Sequence, residues 1–279
     1  MKYSSLCCFL LIAFALFLNF NNNVYAISFT DNEKIKNLFV KEKMNGTIVI
    51  YNVNNKTFTG YNSKRANIQY SPASTFKIAN SLIGLASNTV KSVDEVFFKY
   101  ENQPVFLDSW KKDSSLRDAI KVSNFLAYQQ LATKIGTKQM EANIKTIEYG
   151  NMIIGNDVTN FWVDNSLRIS AIEQVKFLAK LATCNLPYSK HIQLDVASII
   201  KLEQGENWEL YGKTGWYVPN NKLDTVGWFV GWVTKNNETY VFAMNIDVVK
   251  ATANDFPINT LNKRAEITQE ALKILGIIK

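Results

Sequence analysis

The sequence predicts an α+β fold: an antiparallel sheet with the N- and C-terminal helices packed on it, and an all-helical lobe inserted between its halves. Three observations carry this. Short β-branched, apolar runs cluster in the first and last thirds of the chain, apolar residues recur at helical spacing through the middle, and the C-terminus closes on an amphipathic stretch. Thr30 and Glu33 form a capping-box pattern for a helix reaching Phe39. Residues 46–52, Gly-Thr-Ile-Val-Ile-Tyr-Asn, read as a strand, Asn54-Asn55 as a turn and 57–61 as a second strand. From about residue 74 to 202 the pattern is mostly helical, as in Ile172, Val175, Phe177, Leu178 and Leu181. Residues 209–216, 226–234 and 238–245 read as a three-strand meander, and 261–275 as the closing helix. The expected lobes are about 27–70 with 205–279 for the sheet and about 71–204 for the helices, in one domain spanning 27–279. An apolar sheet face needs covering, and a cleft between two lobes is a natural ligand site.

Residues 1–26 read as an export signal, with Lys2 as the positive start, an apolar run over 6–18 and Val24-Tyr25-Ala26 as the cleavage site. The run is about 13 residues against the roughly 20 that a spanning helix needs, which argues against a stable membrane anchor and for a periplasmic or secreted protein. Removing the signal leaves Cys184 as the one cysteine, so no intrachain disulfide can form. The net charge is +7, yet Lys and Asp/Glu are interspersed with no block of five like charges. That is a solvated surface rather than a nucleic-acid footprint, and a mild positive field favours an anionic substrate. The single histidine, His191, follows Pro187 in an exposed-type segment. A His-rich metal site is excluded, no cofactor is expected, and a serine nucleophile would need a base other than histidine.

Ser74-Thr75-Phe76-Lys77 is a Ser-x-x-Lys motif. On a helix, positions i and i+3 share a face, so the amine can take the hydroxyl proton. The pattern also occurs at Ser109 to Lys112 and Ser198 to Lys201 and alone is near chance. The first copy follows Pro72, which suits a helix entrance, and flanks its lysine with Phe76 and Ile78. A desolvated lysine has a lowered pKa and serves as a base at neutral pH. Lys213-Thr214-Gly215 occurs once, inside a predicted strand. It offers a fixed cation, a hydroxyl for an anionic group, and a position without Cβ that lets a substrate approach the backbone.

Ser-x-x-Lys followed far downstream by Lys-Thr-Gly is shared by penicillin-recognising serine enzymes. The wider sequence, from about Gly46 to the C-terminus, resembles the class D (oxacillinase-type) serine β-lactamases. The carrying segments are Tyr70 through Lys77, Trp110, Leu116 through Ser123, Tyr149-Gly150-Asn151 and Phe161-Trp162-Val163-Asp164. They continue with Lys213-Thr214-Gly215, Gly227 through Trp232, and Arg264. The resemblance implies a β-lactamase/transpeptidase-like fold and hydrolysis of a small-molecule β-lactam, penicillins first, by a monomer or homodimer. It implies that Ser74 attacks the lactam carbonyl and that Lys77, carboxylated by carbon dioxide, is general base for acylation and deacylation. Trp162 would serve the carbamate through its indole N–H, with Phe76 and Phe125 around it. Ser123 would relay a proton to the leaving nitrogen beside Lys213. The backbone N–H groups of Ser74 and Trp216 would form the oxyanion hole, Thr214 and Arg264 would hold the substrate carboxylate, and Trp110 would be a wall of the cleft.

One departure stands out. The family usually has Ser-x-Val where this chain has Ser123-Asn124-Phe125, which puts a bulkier ring where the carbamate or hydrolytic water is expected. A class A enzyme would want Ser-Asp-Asn here. The Tyr149-Gly150-Asn151 segment mimics the class C base motif in a chain short for that class. A β-lactam sensor that stays acylated and a DD-peptidase are the alternatives from other functional classes, and turnover of a chromogenic cephalosporin separates them.

Overall fold

The computed structural model describes residues 29–219, 225–248 and 257–279; the export signal expected at 1–26 lies outside them. In chain order the elements begin with β1 (Phe29–Asp31), α1 (Glu33–Lys41), β2 (Gly46–Asn52), β3 (Thr57–Tyr61) and α2 (Ser63–Ala66). A 3-10 turn (Ala73–Phe76) runs directly into α3 (Lys77–Ala86), and a second such turn (Asp108–Trp110) precedes α4 (Leu116–Lys121). Then come α5 (Phe125–Ile135), α6 (Thr137–Thr146), α7 (Ala171–Ala182) and α8 (Lys190–Ile199). The chain closes with β4 (Lys201–Gln204), β5 (Trp208–Tyr217), β6 (Val226–Lys235), β7 (Glu238–Asp247) and α9 (Ile258–Ile274).

The strands form one seven-stranded sheet in the order β1-β3-β2-β7-β6-β5-β4. β2, between β3 and β7, joins the first third of the chain to the last. Side chains alternate across a strand, and the sheet uses both faces. Ile48, Ile50, Phe242, Met244 and Ile246 join Ile35 and Phe39 of α1 and Leu261, Ile267 and Leu272 of α9 in one apolar cluster. Val49, Trp228, Val230, Trp232, Val241 and Ala243 join α3, α5 and α7 in the other. The central strand β6 is accordingly buried from Val226 to Val233, as expected for a strand covered on both faces.

Three expectations need correction. The sheet is mixed rather than antiparallel throughout, because the short edge strand β1 pairs parallel with β3. The capping residue of α1 is Asn32, whose side chain accepts from the N–H groups of Lys34 and Ile35; Thr30 instead pairs with Thr59 inside β1. Residues 201–204, assigned to the helical lobe, form the edge strand β4 on β5. His191 is exposed on the first turn of α8, with Nε2 3.2 Å from Asp195. Among the described residues no helix is long and apolar enough to cross a membrane.

α3 is the pillar of the helical lobe. Its residues Lys77 through Leu85 are all buried, and Gly84 lets Leu131 of α5 pack closely against it. A helix that is enclosed all round carries its first residue, a lysine, into the interior. Capping boxes at Ser115/Asp118 and Ser170/Glu173 set the starts of α4 and α7, each contributing about 1 kcal/mol.

Candidate active site

The Ser74-x-x-Lys77 motif is held by a bent segment that is tied on both sides. Trp228 Nε1 of β6 donates to the Ser71 carbonyl at 3.0 Å, and Ser71 Oγ donates to the Trp162 carbonyl at 2.7 Å. The Ala73 N–H donates to that same carbonyl at 2.9 Å. Ala73 adopts φ +48°, an unusual conformation for a residue with Cβ, which costs of order 1 kcal/mol or more and is held by these bonds. The turn it makes presents Ser74 at the start of the 3-10 helix, and Lys77 opens α3.

Lys77 Nζ lies 2.8 Å from Ser74 Oγ. The lysine is 1% exposed, and no ion pair among the described residues includes it. Burial pushes its amine well below the ordinary lysine value, and the charge of Lys213 pushes in the same direction. The positive end of α3 adds to both. The other two Ser-x-x-Lys copies lack this environment. The Lys112 side chain is 53% exposed and pairs with Asp118, while Lys201 pairs with Glu209 at 2.6 Å.

Aromatic side chains close around the pair. Phe76 stacks on Trp162 with centroids 5.6 Å apart, and Phe125 meets Trp162 edge to face at 5.9 Å. Trp162 is fully buried and its Nε1 has no hydrogen-bond partner in the protein. A buried orphan donor costs free energy until an acceptor arrives. This fits an acceptor group carried by the lysine, as the carbamate expectation requires.

Ser123 sits in the tight junction between α4 and α5 at φ +54°, and Asn124 caps α5 by accepting from the Ala127 N–H. Trp110 Nε1 donates to the Val122 carbonyl at 3.0 Å, so this tryptophan tethers the Ser123 turn.

β5 supplies the opposite side. β4 pairs with it only as far as Tyr211, so the edge of β5 beyond that point runs against the nucleophile turn. Gly215 makes this contact possible. A Cβ there would lie 2.9 Å from the Pro72 carbonyl oxygen and 3.1 Å from Thr75 Cγ2. Besides the substrate approach expected of it from sequence, this glycine lets β5 pack against the turn that carries Ser74. Lys213 is buried and donates to the Thr214 carbonyl at 3.0 Å; burial, helped by the Arg264 charge, pushes its amine down to about 7.

Arg264 is anchored rather than free. Its Nε donates to the Leu261 carbonyl and its Nη1 to the Gly215 carbonyl. Its aliphatic stem lies over Gly227, where a Cβ would be 2.8 Å from Arg264 Cδ. Burial lowers its guanidinium to about 10. With Nε committed, a two-pronged contact to a carboxylate is left to the terminal nitrogens. Lys213 is near enough to Lys77, and Arg264 to Lys213, for each charge to depress its neighbour's amine, and no ion pair among the described residues gives any of the three a carboxylate partner, an arrangement that attracts an anion. Ala73, Gly227 and Trp228 lay in segments that carried the family resemblance but were given no role from sequence, and Tyr128 was not named at all.

Fold and cleft together define a penicillin-recognising domain of the transpeptidase type. The family model described as Penicillin binding protein transpeptidase domain matches residues 38–272. The chain is 40% identical over 211 residues to Beta-lactamase OXA-5 of Pseudomonas aeruginosa, covering 75% of this chain and 79% of that protein. It is 36% identical over 241 residues to Beta-lactamase OXA-48 of Klebsiella pneumoniae, covering 86% and 87%. The crystal structure of FUS-1 (OXA-85), a class D β-lactamase from Fusobacterium nucleatum subsp. polymorphum, superposes with a TM-score of 0.85 at 42% identity, covering 90% of this chain and all of that one. The chain belongs to the class D β-lactamases, enzymes that hydrolyse β-lactams.

Proposed function

We propose that the enzyme opens penicillins through an acyl-enzyme on Ser74, with a carboxylated Lys77 as the site of the general base. The single observation that carries this is the buried Lys77 amine at 2.8 Å from Ser74 Oγ, with no carboxylate among the described residues paired to it. A dry amine is partly neutral, and only a neutral amine adds carbon dioxide. The carbamate would supply an oxygen base, held by the Trp162 indole N–H in the apolar surroundings of Phe76 and Phe125.

The chain's own groups divide the work as follows. The Ser74 Oγ attacks the lactam carbonyl carbon as its proton passes to the base at Lys77. Negative charge on the carbonyl oxygen is met by the backbone N–H groups of Ser74 and Trp216. The C–N bond breaks as Ser123 hands its proton to the departing ring nitrogen and, with Lys213 as its expected neighbour, regains one from the base at Lys77, which is thereby restored. Water then attacks the Ser74 ester carbonyl as its proton passes to the base at Lys77; the Oγ–acyl bond breaks, that proton goes on to Ser74 Oγ, and the penicilloate leaves. Thr214 and the terminal nitrogens of Arg264 hold the substrate carboxylate. Trp110 keeps Ser123 in place.

Penicillins are proposed because the matching domain model is a penicillin-binding one and the cleft's free charges suit their carboxylate. A steady-state panel of penicillins, cephalosporins and carbapenems tests this, and a lower kcat/KM for penicillins than for both other groups would refute it. Labelled bicarbonate added to the degassed enzyme should produce a carbamate carbon resonance that Lys77→Ala lacks. We also propose export by residues 1–26 into the periplasm; activity remaining with the cytoplasmic fraction of expressing cells would contradict that.

A further inference from the structure

The faces of two rings frame the Lys77 amine. Nζ stands over Tyr128 at 5.4 Å from the ring centroid and over Phe125 at 5.8 Å. Phe125 opens α5 and Tyr128 follows three residues later, so both project from one helix face. α5 packs on α3, whose first residue is Lys77. Tyr128 is not free to turn away. Tyr128 is fully buried with its hydroxyl 2.7 Å from Ser81 Oγ, and Phe125 abuts Trp162.

An aromatic face carries the negative part of the ring quadrupole. It attracts a cation within about 6 Å and repels an anion in the same place. Carboxylation turns the amine into an anion: the Nζ lone pair forms a bond to the carbon of carbon dioxide, one C=O electron pair moves onto oxygen, and one N–H proton leaves to solvent. Both rings therefore favour the uncarboxylated lysine, and the orphan Trp162 N–H opposes them. We propose that Phe125 and Tyr128 are positioning residues that weaken the hold of Lys77 on carbon dioxide. This rests on the carbamate reading of the site, and it gives Phe125 the opposite sign from the supporting role that the family resemblance implies.

The test is a titration of degassed enzyme with carbon-13 bicarbonate, reading the carbamate carbon by NMR. Wild type is compared with Phe125→Val, Phe125→Leu and protein carrying pentafluorophenylalanine at position 125, which keeps the ring while reversing its quadrupole. All three are expected to lower the half-saturating bicarbonate, by about tenfold for the two aliphatic variants. Leucine keeps more of the bulk than valine, so a fall with valine alone would mean crowding and overturn the proposal. Unchanged or raised half-saturation across the set would overturn it as well. A carbamate signal of equal affinity in all the proteins defeats this inference alone, whereas no carbamate signal in any protein defeats the underlying reading of Lys77.

Discussion

Lys77 Nζ is 2.8 Å from Ser74 Oγ across the junction where a 3-10 turn becomes α3. The hydroxyl lies in the partly exposed turn and the amine in the buried helix, so one short hydrogen bond joins the cleft to the dry interior. Replacing Ser74 by alanine removes the nucleophile and leaves the fold's ties at Ser71, Ala73 and Trp228 intact. Turnover of a chromogenic cephalosporin by Ser74→Ala should fall by at least about 10⁴-fold, and intact-mass spectra should show no acyl adduct. Ser109→Ala and Ser198→Ala should retain wild-type rates, because the lysines three residues on are exposed and paired with carboxylates.

That contrast shows what a sequence carries. The Ser74–Lys77 contact is local, three residues along one turn, and could be read directly. β2 and β3 were readable residue for residue, because β-branched runs flank an Asn-Asn turn. β1 was not. It is three residues long, and it exists because β3 offers an edge to pair with. The same holds for β4, whose Lys-Leu-Glu-Gln is exposed along its whole length and has no apolar alternation to betray it. Within the site, the place of Gly227 under the Arg264 stem, the Trp228 bond to Ser71 and the ring of Tyr128 over Lys77 join residues far apart in the chain. No local pattern encodes them.

Stability should rise with pH on the alkaline side of neutrality. The Lys213 amine is pushed down to about 7 in the fold by burial and by Arg264, against roughly 10.4 in the unfolded chain. Between those values the unfolded state binds more protons than the folded one, so stability increases as pH rises. Lys77, lowered by burial, acts in the same direction. The buried phenols of Tyr128 and Tyr149, raised by burial, oppose this only above about pH 10. Urea unfolding in carbon-dioxide-free buffer should therefore show a higher midpoint at pH 9 than at pH 7.5. Lys213→Met should flatten the slope by as much as ~1.4 kcal/mol per pH unit. Equal slopes in the two proteins would show that Lys213 is not the group responsible.

Arg264→Lys should cost substrate binding more than chemistry. Lysine cannot reach both the Leu261 and Gly215 carbonyls and still present planar donors to a carboxylate. A charged hydrogen bond is worth about 1.5–3 kcal/mol, so kcat/KM for a penicillin should fall roughly 10- to 100-fold, mainly through KM. Comparing each penicillin with its methyl ester isolates the effect. The wild type should prefer the free acid, and the variant should lose most of that preference. A variant that keeps the full preference would place the carboxylate contact elsewhere.

Gly215→Ala tests whether the close approach of β5 to the nucleophile turn sets the active geometry. The added Cβ would stand 2.9 Å from the Pro72 carbonyl oxygen, 3.1 Å from Thr75 Cγ2 and 3.2 Å from the Thr75 nitrogen. All three belong to the turn that carries Ser74, and two are backbone atoms or fixed by them, so no flexible side chain can yield. Either β5 or the turn must shift by several tenths of an ångström. Overpacking of this kind typically costs about 1–3 kcal/mol, which a well-packed domain survives. Catalysis is more sensitive than stability, because a displacement of about 1 Å between reacting groups can cost about 10²-fold in rate. The expected result is a folded protein with a modestly lower melting temperature and kcat down by about one to two orders of magnitude. Gly212→Ala is the matched comparison. Its Cβ would meet Phe229 and Leu202 side chains rather than the catalytic turn. It should lower stability with a much smaller loss of kcat, and an equal loss in both variants would mean that the β5-to-turn contact has no special part in positioning Ser74.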